Sequence, residues 1–393
     1  MKEKNKRSPL AVVACGGSGG HFYPGLAVAR KLLQAGCEVI LLITEKEIDQ
    51  VTSGAETGFR VIKVPAIGLT KGGGVRFTIR FLKSYLKLRK LFAAEKPGAV
   101  LGMGGFSSAP AVLATSYGRC KAFLHEGNSI PGRANRLVAP FVHTGFVHFP
   151  QSASRLHCRR LEVVGMPVRD GFIPVDESGV RGCRMSLGLH PDKPTLLVMG
   201  GSQGAHAINQ MMIQSAENIL RRVADLQIIH LTGALDFKEA TECYNKLGIK
   251  AIVFKYLTEM ELVMGAATAM VSRSGASSMA EIAAMRIPAL LIPYPYAADN
   301  HQYFNALAYE EMGAAIVMEQ DFNEKGDKAV DKMEFFEEIV AQLLLNKKQQ
   351  DSIKRALAEW QEHKASIEMA RRIIEIAFPQ EKLMTDWNSE PVF

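Results

Sequence analysis

The sequence has few cysteines, no CxxC pair and no long apolar run. Scattered single cysteines argue against a disulfide framework or a zinc knuckle, and they favour reduced thiols in a cytosol. No stretch approaches the roughly 18 uninterrupted apolar residues of a membrane-spanning helix, so an integral membrane protein is not expected. The excess of basic residues is also small, 47 against 40 acidic ones, which gives a mild preference for anionic partners.

What is present is the composition of an ordinary globular protein, with 47% hydrophobic residues in a chain of 393. That length suits two domains. The first seven residues, MKEKNKR, are predicted to be a disordered basic leader. A secretory signal is not favoured, because the following apolar segment is short and a glycine-rich turn comes next.

Short apolar runs alternate with longer helical patterns along most of the chain. Most of these runs are apolar throughout, as expected for parallel strands covered on both faces. The class is therefore α/β, with doubly wound sheets. Strands are predicted at 11–14, 37–43, 60–64, 99–103, 121–125, 195–199, 227–231, 251–254, 269–272 and 289–292.

An internal similarity predicts two Rossmann-like domains in tandem. An apolar strand, a GGS-x-G turn and a helical pattern occur first near Leu10 and again near Thr195, about half the chain apart. Neither turn is a dinucleotide fingerprint or a P-loop, because no G-x-G-x-x-G or G-K-[ST] can be placed on it. Glycines there let backbone N–H groups approach an anion or a sugar.

Several polar clusters follow predicted strands. In the first half they are the turn before His21, the segment 102–108 and the HEGN segment 125–128. In the second half they are 200–204, 272–281 and 299–302. Ligands of doubly wound sheets bind beyond the carboxyl ends of the strands, so the three clusters of the first half are expected to share a cleft in the first domain. His21 could act as a base near neutral pH, or it could simply donate a hydrogen bond at a helix start.

Metal and serine-nucleophile chemistry are not predicted. Asp299 and His301 are close in sequence, but neither has partners at the spacing of a zinc or magnesium site. No G-x-S-x-G elbow occurs.

Residues 71–90 contain seven basic residues and no acidic one. Arg76, Arg80, Lys83, Lys87 and Lys90 form one stripe at helical spacing, and Val75, Ile79, Leu82 and Leu86 form another. This basic amphipathic helix suits an anionic membrane surface. The alternatives are a solvated helix whose apolar side packs in the core, or nucleic-acid binding, for which no RNA-binding motif is present.

Six motifs resemble one bacterial family, the MurG-type N-acetylglucosaminyltransferases that complete the lipid-linked disaccharide-pentapeptide precursor of peptidoglycan. They occur in the family's order from about Leu10 to about Ala308: GGSGGHFYPGLAVA, GMGGFSSAP, HEGNSIPGRANRL, VGMPVR, LLVMGGSQGAHAIN and SRSGASSMAEIAAMRIPALLIPYPYAADNHQYFNA.

The resemblance implies the glycosyltransferase B fold, two Rossmann-like domains facing across a cleft. Residues 8–167 would form the acceptor and membrane-associating domain, joined by a C-terminal helix at about 366–380. Residues 168–365 would bind UDP-GlcNAc, and 381–393 would be a frayed tail.

The resemblance also implies residue roles. His21 matches the family's candidate base, and Ser18, Gly19, Gly20 and Asn128 would face the donor sugar and acceptor. Arg169 and Ser202 would contact the diphosphate, Leu257 and Glu281 the uridine, and His301 and Gln302 the GlcNAc. The other predicted donor-site residues are Gln203, Arg273, Gly275, Ala276, Ser277 and Ser278. Gly127, Met166 and Arg286 depart from the family, which usually has Gln, Asn and Gly there.

The expected reaction is inverting transfer of GlcNAc to the C4 hydroxyl of MurNAc-(pentapeptide)-pyrophosphoryl-undecaprenol, without a metal or cofactor. The protein is expected to bind peripherally to the anionic surface of the cell membrane, on its cytoplasmic face. Other cell-wall synthesis proteins are further candidate partners. Two alternatives remain, a UDP-GlcNAc 2-epimerase and a non-catalytic nucleotide-sugar or membrane-binding module.

Overall fold

A computed structural model of the chain describes residues 8–16, 19–44, 58–65, 74–115, 120–201, 204–320, 327–360 and 364–384. The chain divides into two compact units. Unit 1 comprises 1–170 and 362–393, and unit 2 comprises 171–361. Each unit is described below by itself.

Unit 1 is built on a parallel seven-stranded sheet in the order β3-β2-β1-β4-β5-β6-β7. Its strands are β1 Leu10–Ala14, β2 Glu38–Ile43, β3 Arg60–Lys63, β4 Ala99–Gly102, β5 Lys121–Glu126, β6 Thr144–Val147 and β7 Leu161–Val163. Its helices are α1 Gly19–Gln34, α2 Gly74–Glu95, α3 Gly105–Ala114, α4 Arg133–Val138 and α13 Ala365–Ala377, with 3₁₀ turns at Ala139–Phe141 and Pro150–Arg155.

The two faces of the unit 1 sheet carry separate cores, because successive side chains of a strand point to opposite faces. On one face Val13, Leu41 and Leu101 pack in a cluster that includes Met369 and Ile373 of α13. On the other, Val12, Ile40 and Val100 pack with Leu88 and Phe92 of α2. Burial on both faces explains why these strands are apolar except at the exposed Glu38, which begins β2.

Unit 2 repeats this plan in a parallel six-stranded sheet of order β10-β9-β8-β11-β12-β13. Its strands are β8 Thr195–Met199, β9 Gln227–Leu231, β10 Lys250–Phe254, β11 Ala269–Ser272, β12 Ala289–Leu291 and β13 Ile316–Val317. Its helices are α5 Glu177–Ser186, α6 His206–Arg222, α7 Phe237–Lys246, α8 Met260–Ala266, α9 Ala276–Met285, α10 His301–Glu311, α11 Asp327–Leu345 and α12 Lys347–Ala358, with a 3₁₀ turn at Ala298–Asn300.

The predicted α/β class is confirmed, and each of the ten predicted strands is a strand in the structure. The two glycine turns follow β1 and β8, which hold equivalent central places in their sheets. Sequence analysis missed β6, β7 and β13. They are two to four residues long, which is too short to give a clear periodicity, and β7 and β13 are also edge strands.

The C-terminal helix belongs to unit 1, where α13 packs against α1. The boundary between the units falls after Asp170, three residues beyond the predicted one at 167. Residues 385–393 of the predicted tail lie outside the described residues. No described helix has both the length and the apolar character needed to cross a bilayer.

Candidate functional site

The first candidate site of unit 1 lies where β1 passes into α1. Gly19 and Gly20 are the first residues of α1, while Ser18 lies outside the described residues. A Cβ at Gly16 would approach the backbone nitrogen of Thr44 to 2.7 Å, so the turn runs close against the end of β2. Since β4 lies on the other side of β1, this turn is at the point where the strand order reverses, the usual ligand position in such sheets.

His21 lies in the first turn of α1 and is half-buried against the turn that follows β4. Gly104 and Gly105 form that turn with φ values of 110° and 72°. A Cβ would lie 3.0 Å from His21 Cε1 at Gly104 and 3.4 Å from His21 Cδ2 at Gly105. Glycine is therefore favoured at both positions by the backbone conformation and by the space that the imidazole occupies. The glycine turn after β4 thus packs against the ring of the candidate base.

A buried carboxylate organises the HEGN segment at the end of β5. Glu126 is only 2% exposed. Its Oε1 accepts hydrogen bonds from the backbone N–H of Asn128 at 2.9 Å and from Asn128 Nδ2 at 3.1 Å. Its Oε2 accepts from the Gly132 N–H at 2.8 Å and from Asn135 Nδ2 at 2.9 Å. Glu126 therefore fixes both the side chain of Asn128 and the loop after it.

Burial dominates the electrostatics of this region. It raises the pKa of Glu126, and the hydrogen bonds from Asn128, Gly132 and Asn135 oppose that shift. Burial lowers the pKa of His125 to about 4, with a smaller effect of the nearby His21, and it lowers the pKa of His148 to about 3. Both buried histidines are therefore neutral at pH 7. The His125 ring also holds the Gly165 carbonyl at 3.0 Å from Nε2.

Arg169 comes at the end of the chain segment assigned to unit 1. Its guanidinium carbon lies 4.7 Å from the ring centroid of Tyr23, two residues after His21 on α1. The next residue, Asp170, accepts a hydrogen bond from Lys31 Nζ at 3.0 Å. Both contacts fasten this segment along α1. The predicted contact of Arg169 with a diphosphate stays a prediction.

In unit 2 the turn after β11 forms the start of a second candidate site. Arg273 is 7% exposed, and its Nη1 donates to the carbonyls of Ile292 and Pro293 at 3.0 Å each. Burial lowers the pKa of Arg273 to about 10, so it remains charged at pH 7. The guanidinium thus braces the loop after β12 from inside the fold.

The helix that follows this turn is suited to an anion. Gly275 is the N-cap of α9, and no acidic residue lies in the first turn. Ala276, Ser277 and Ser278 begin the helix, where backbone N–H groups have no intrahelical partner. Together with the positive end of the helix dipole they favour a phosphate. Glu281 lies further along α9 and is half-buried.

The loop after β12 is tied to the same turn. The Ser274 hydroxyl donates to the Gln302 carbonyl at 2.8 Å, and Gln302 Oε1 accepts from the Tyr294 N–H at 3.0 Å. His301, at the start of α10, has Nδ1 2.8 Å from the Ala298 carbonyl. The structure thus brings together the turn 273–275 and the predicted sugar-binding residues His301 and Gln302.

The other predicted donor residues lie at the same sheet edge or outside the described part of the chain. Leu257 follows β10 and is half-buried, while Ser202 and Gln203 lie outside the described residues. A Cβ at Gly204 would meet the Thr232 carbonyl at 2.3 Å, so the turn after β8 packs tightly on the end of β9. Among described residues, no group of three or more His, Cys, Asp or Glu side chains could hold a metal ion.

The helix α2 presents a separate surface. Val75, Ile79, Leu82 and Leu86 are 77, 49, 52 and 49% exposed. Its inner face instead buries Ser84, Leu88 and Phe92. The stripe named from the sequence therefore faces outward, while a different apolar face of the same helix packs in the core, as the alternative of an ordinary solvated helix expects. The cations Arg76, Arg80, Lys83, Lys87 and Lys90 are exposed as well.

Glu126 is the residue whose role sequence reasoning missed. The HEGN segment pointed to Asn128, but a glutamate at a strand end gives no sign that both its oxygens accept hydrogen bonds within the fold. The signal that was available is its position inside a buried strand end, where an acidic residue needs partners.

Both halves of the chain match domains of a single family of known proteins. The glycosyltransferase family 28 N-terminal domain matches residues 11–147, and the family's C-terminal domain matches residues 195–364. A protein of Halothermothrix orenii, named UDP-N-acetylglucosamine–N-acetylmuramyl-(pentapeptide) pyrophosphoryl-undecaprenol N-acetylglucosamine transferase, is 35% identical over 358 residues, which cover 88% of this chain and 94% of the relative. The protein of that name from Desulfitobacterium hafniense is 36% identical over 323 residues, 78% of this chain and 85% of the relative.

Solved structures share the fold. The crystal structure of MurG from Acinetobacter baumannii has a TM-score of 0.68 at 22% identity, covering 94% of this chain and 100% of that chain. A Listeria monocytogenes structure described as a UDP-N-acetylglucosamine 2-epimerase has a TM-score of 0.67 at 14% identity, covering 96% of this chain and 98% of that one. The fold alone therefore does not separate transferase from epimerase.

The buried neutral histidines predict a loss of stability in acid. His125, His148 and His230 have folded pKa values of about 4, 3 and 3, below the ordinary 6.5. Below pH 6.5 the unfolded chain takes up protons that the folded chain does not. Stability should therefore fall as the pH is lowered from 6.5 toward 4, by about 1.4 kcal/mol per pH unit for each histidine. Urea unfolding at stepped pH measures this slope.

His125→Asn should make that slope shallower, because one titrating group is removed. His157→Asn replaces an exposed histidine of the same unit and should leave the slope unchanged. If the free energy of unfolding falls with pH at the same slope in the wild type and both variants, the lowered pKa of His125 is contradicted.

Proposed function

Because the chain belongs to glycosyltransferase family 28 and, within it, to the N-acetylglucosamine transferases, we propose that it transfers GlcNAc from UDP-GlcNAc to the C4 hydroxyl of MurNAc-(pentapeptide)-pyrophosphoryl-undecaprenol. The observation that carries this function is the 35% identity to the Halothermothrix orenii enzyme across 88% of the chain, a span that includes parts of both units. The product would be the complete lipid-linked disaccharide-pentapeptide of peptidoglycan synthesis.

In the proposed reaction the acceptor oxygen forms a bond to the anomeric carbon of GlcNAc, and the bond from that carbon to the diphosphate oxygen breaks. UDP leaves with the electron pair, and the configuration inverts. The acceptor hydroxyl must lose its proton, which becomes acidic as the new bond forms. His21 is proposed as the base, supported by its position at the β1–α1 turn and by the glycines that hold its ring.

Unit 2 is proposed to bind the nucleotide sugar at the carboxyl edge of its sheet. The open N–H groups at the start of α9 would stabilise charge on the departing diphosphate, with Ser202 and Gln203 contributing from the turn after β8. Glu281 and Leu257 would contact the uridine, and His301 and Gln302 the GlcNAc hydroxyls. Arg273 supports this site by bracing the loop after β12, to which Gln302 is also hydrogen-bonded.

Unit 1 is proposed to bind the acceptor. Gly19, Gly20 and Asn128 lie at its carboxyl edge, and the buried Glu126 fixes the Asn128 amide. Ser18 belongs to the same proposed site by sequence. Arg169 is proposed to contact the diphosphate, and its stacking on Tyr23 would hold the guanidinium beside α1.

The function is tested with radiolabelled UDP-GlcNAc, with and without the lipid-linked muramyl-pentapeptide. Transfer predicts that UDP release and label incorporation into lipid both require the acceptor. Conversion of UDP-GlcNAc alone into a 2-epimer would instead identify an epimerase. Binding of UDP-GlcNAc without turnover in the presence of authentic acceptor would identify a binding module.

His21→Ala should lower kcat by about 10²–10⁴-fold, the range for loss of a general base. Initial rates at saturating donor and acceptor measure the effect. His157→Ala, an exposed histidine of the same unit, is the control and should keep the wild-type rate. If kcat falls by well under about 10-fold in His21→Ala, His21 is not the base.

The protein is further proposed to bind the cytoplasmic face of the cell membrane peripherally through α2. The support is an exposed apolar stripe beside exposed cations on one helix, which suits insertion among anionic headgroups. Each lysine or arginine near such a surface contributes about 1 kcal/mol.

Reversing Lys83, Lys87 and Lys90 to Glu should weaken binding to phosphatidylglycerol vesicles strongly, because three attractions become repulsions. Vesicle co-sedimentation at low salt measures this. The matched control reverses Lys238, Lys246 and Lys250, three exposed lysines of unit 2, for the same change in net charge. Equal losses in the two triple variants would show a net-charge effect and contradict a role for α2.

A further inference from the structure

Unit 2 contains a second concave site, at the edge of the sheet opposite the candidate donor site. It is a cavity of about 820 Å³ lined by Ala267 and Pro288, which come shortly before β11 and β12 in the chain, and by residues of α8, α9 and α12. The donor-site turns follow the other ends of the same strands. The volume lies within the roughly 300–1,000 Å³ of small-molecule sites.

The charge of this cavity is strongly one-sided. Its lining includes five cationic side chains and one acidic side chain, Asp351. The cations are Arg286, Lys347, Lys348, Lys354 and Arg355. None of them makes an ion pair within 4.0 Å with a carboxylate of the residues that the structure describes. Nearby carboxylates such as Asp351 and Glu177 therefore offset only part of the positive charge of this cavity.

Arg286 reaches this cavity from a disfavoured backbone conformation. It is the C-cap of α9, with φ 54° and ψ 47°. This left-handed region is crowded for any residue with a Cβ, and helices that end this way usually have glycine there. A glycine would relieve the strain without removing any ion pair of the described residues. Strain that persists at a position lining a cavity points to a function for the side chain.

The start of α12 shows a second local conflict. Lys347 and Lys348 open the helix, and no acidic residue lies in its first turn. Cations are unfavourable there because the helix dipole is positive at that end. A bound anion would be attracted both by the lysines and by the helix start, and these attractions would offset the repulsion between them. Further along α12, burial lowers the pKa of Lys354, and the positive charge of Lys347 lowers it further. Asp351 and Glu177 oppose this shift.

We propose that this cavity binds a free small molecule that carries two or more phosphate groups. Arginine offers a planar fork that pairs with two phosphate oxygens, and lysine ammonium groups neutralise the remaining charge. Met264, Met285 and Ile287 form an apolar wall that suits the carbon part of such a ligand. This site is additional to the proposed sites for donor and acceptor.

Lysine footprinting of the full chain tests the proposal. Trace acetic anhydride labels lysines with and without inorganic tripolyphosphate, at ionic strength held constant with NaCl because salt alone screens charges. Labelling of Lys347, Lys348 and Lys354 should slow roughly tenfold when tripolyphosphate nearly saturates the cavity, because about a tenth of the protein molecules then have an empty cavity. Lys238, Lys246 and Lys250 are the controls in the same unit and should label at unchanged rates. Equal slowing at cavity and control lysines would overturn the proposal.

Arg286→Gly provides a variant that is expected to fold well. It removes one cation and relieves the left-handed strain, so the thermal midpoint should stay the same or rise. Protection of Lys354 by tripolyphosphate should nevertheless weaken several-fold. Undiminished protection in a folded Arg286→Gly protein would remove Arg286 from the site. Absence of protection at the cavity lysines of the wild type would overturn the site as a whole.

Discussion

In each unit the functional groups lie where two neighbouring parallel strands meet at the centre of the sheet. The strand order reverses between these two strands. In unit 1 this pair is β1 and β4, and in unit 2 it is β8 and β11. Because all strands of a sheet run the same way, every strand-to-helix turn emerges at one edge. His21 and Gly104 meet for this reason, although they are far apart in sequence. Glycine is needed where these turns touch, since a side chain would collide with the imidazole.

Fixed hydrogen bonds behind these turns are as important as the residues that would touch substrate. Glu126 in unit 1 accepts four hydrogen bonds, and Arg273 in unit 2 donates to two carbonyls. Both side chains are nearly inaccessible to solvent. A buried polar or charged side chain is costly unless its hydrogen-bond partners are in place, so each of these residues holds its loop in one arrangement. In the proposed reaction these fixed loops would supply the preorganised backbone that a transferase needs around developing charge.

Two surfaces, the outer face of α2 and the cavity of unit 2, carry groups that the fold neither covers nor neutralises. On α2 the exposed apolar stripe lies beside exposed cations, which a membrane surface would cover and neutralise together. The cavity of unit 2 gathers cations at the opposite sheet edge from the donor turns, and a phosphorylated ligand would neutralise them. One helix, α9, spans these two edges: it begins at Gly275 in the candidate donor site and ends at Arg286 in the cavity.

The sequence by itself determined the α/β class, ten of the strands, the tandem repeat and the family, because buried parallel strands and glycine turns are local patterns. It also located the helix 74–95 as basic and amphipathic, but periodicity cannot say which of two apolar stripes faces the core. Only the tertiary structure decided that Val75, Ile79, Leu82 and Leu86 face outward, that Glu126 binds the loop beyond it, and that Arg286 gathers with lysines of α12. The outward stripe of α2 and the gathering at Arg286 depend on segments that are distant in the chain and meet only when the sheets and helices pack. The partners of Glu126 lie within nine residues of it, but their hydrogen bonds depend on how the loop after β5 folds, which no simple sequence pattern records.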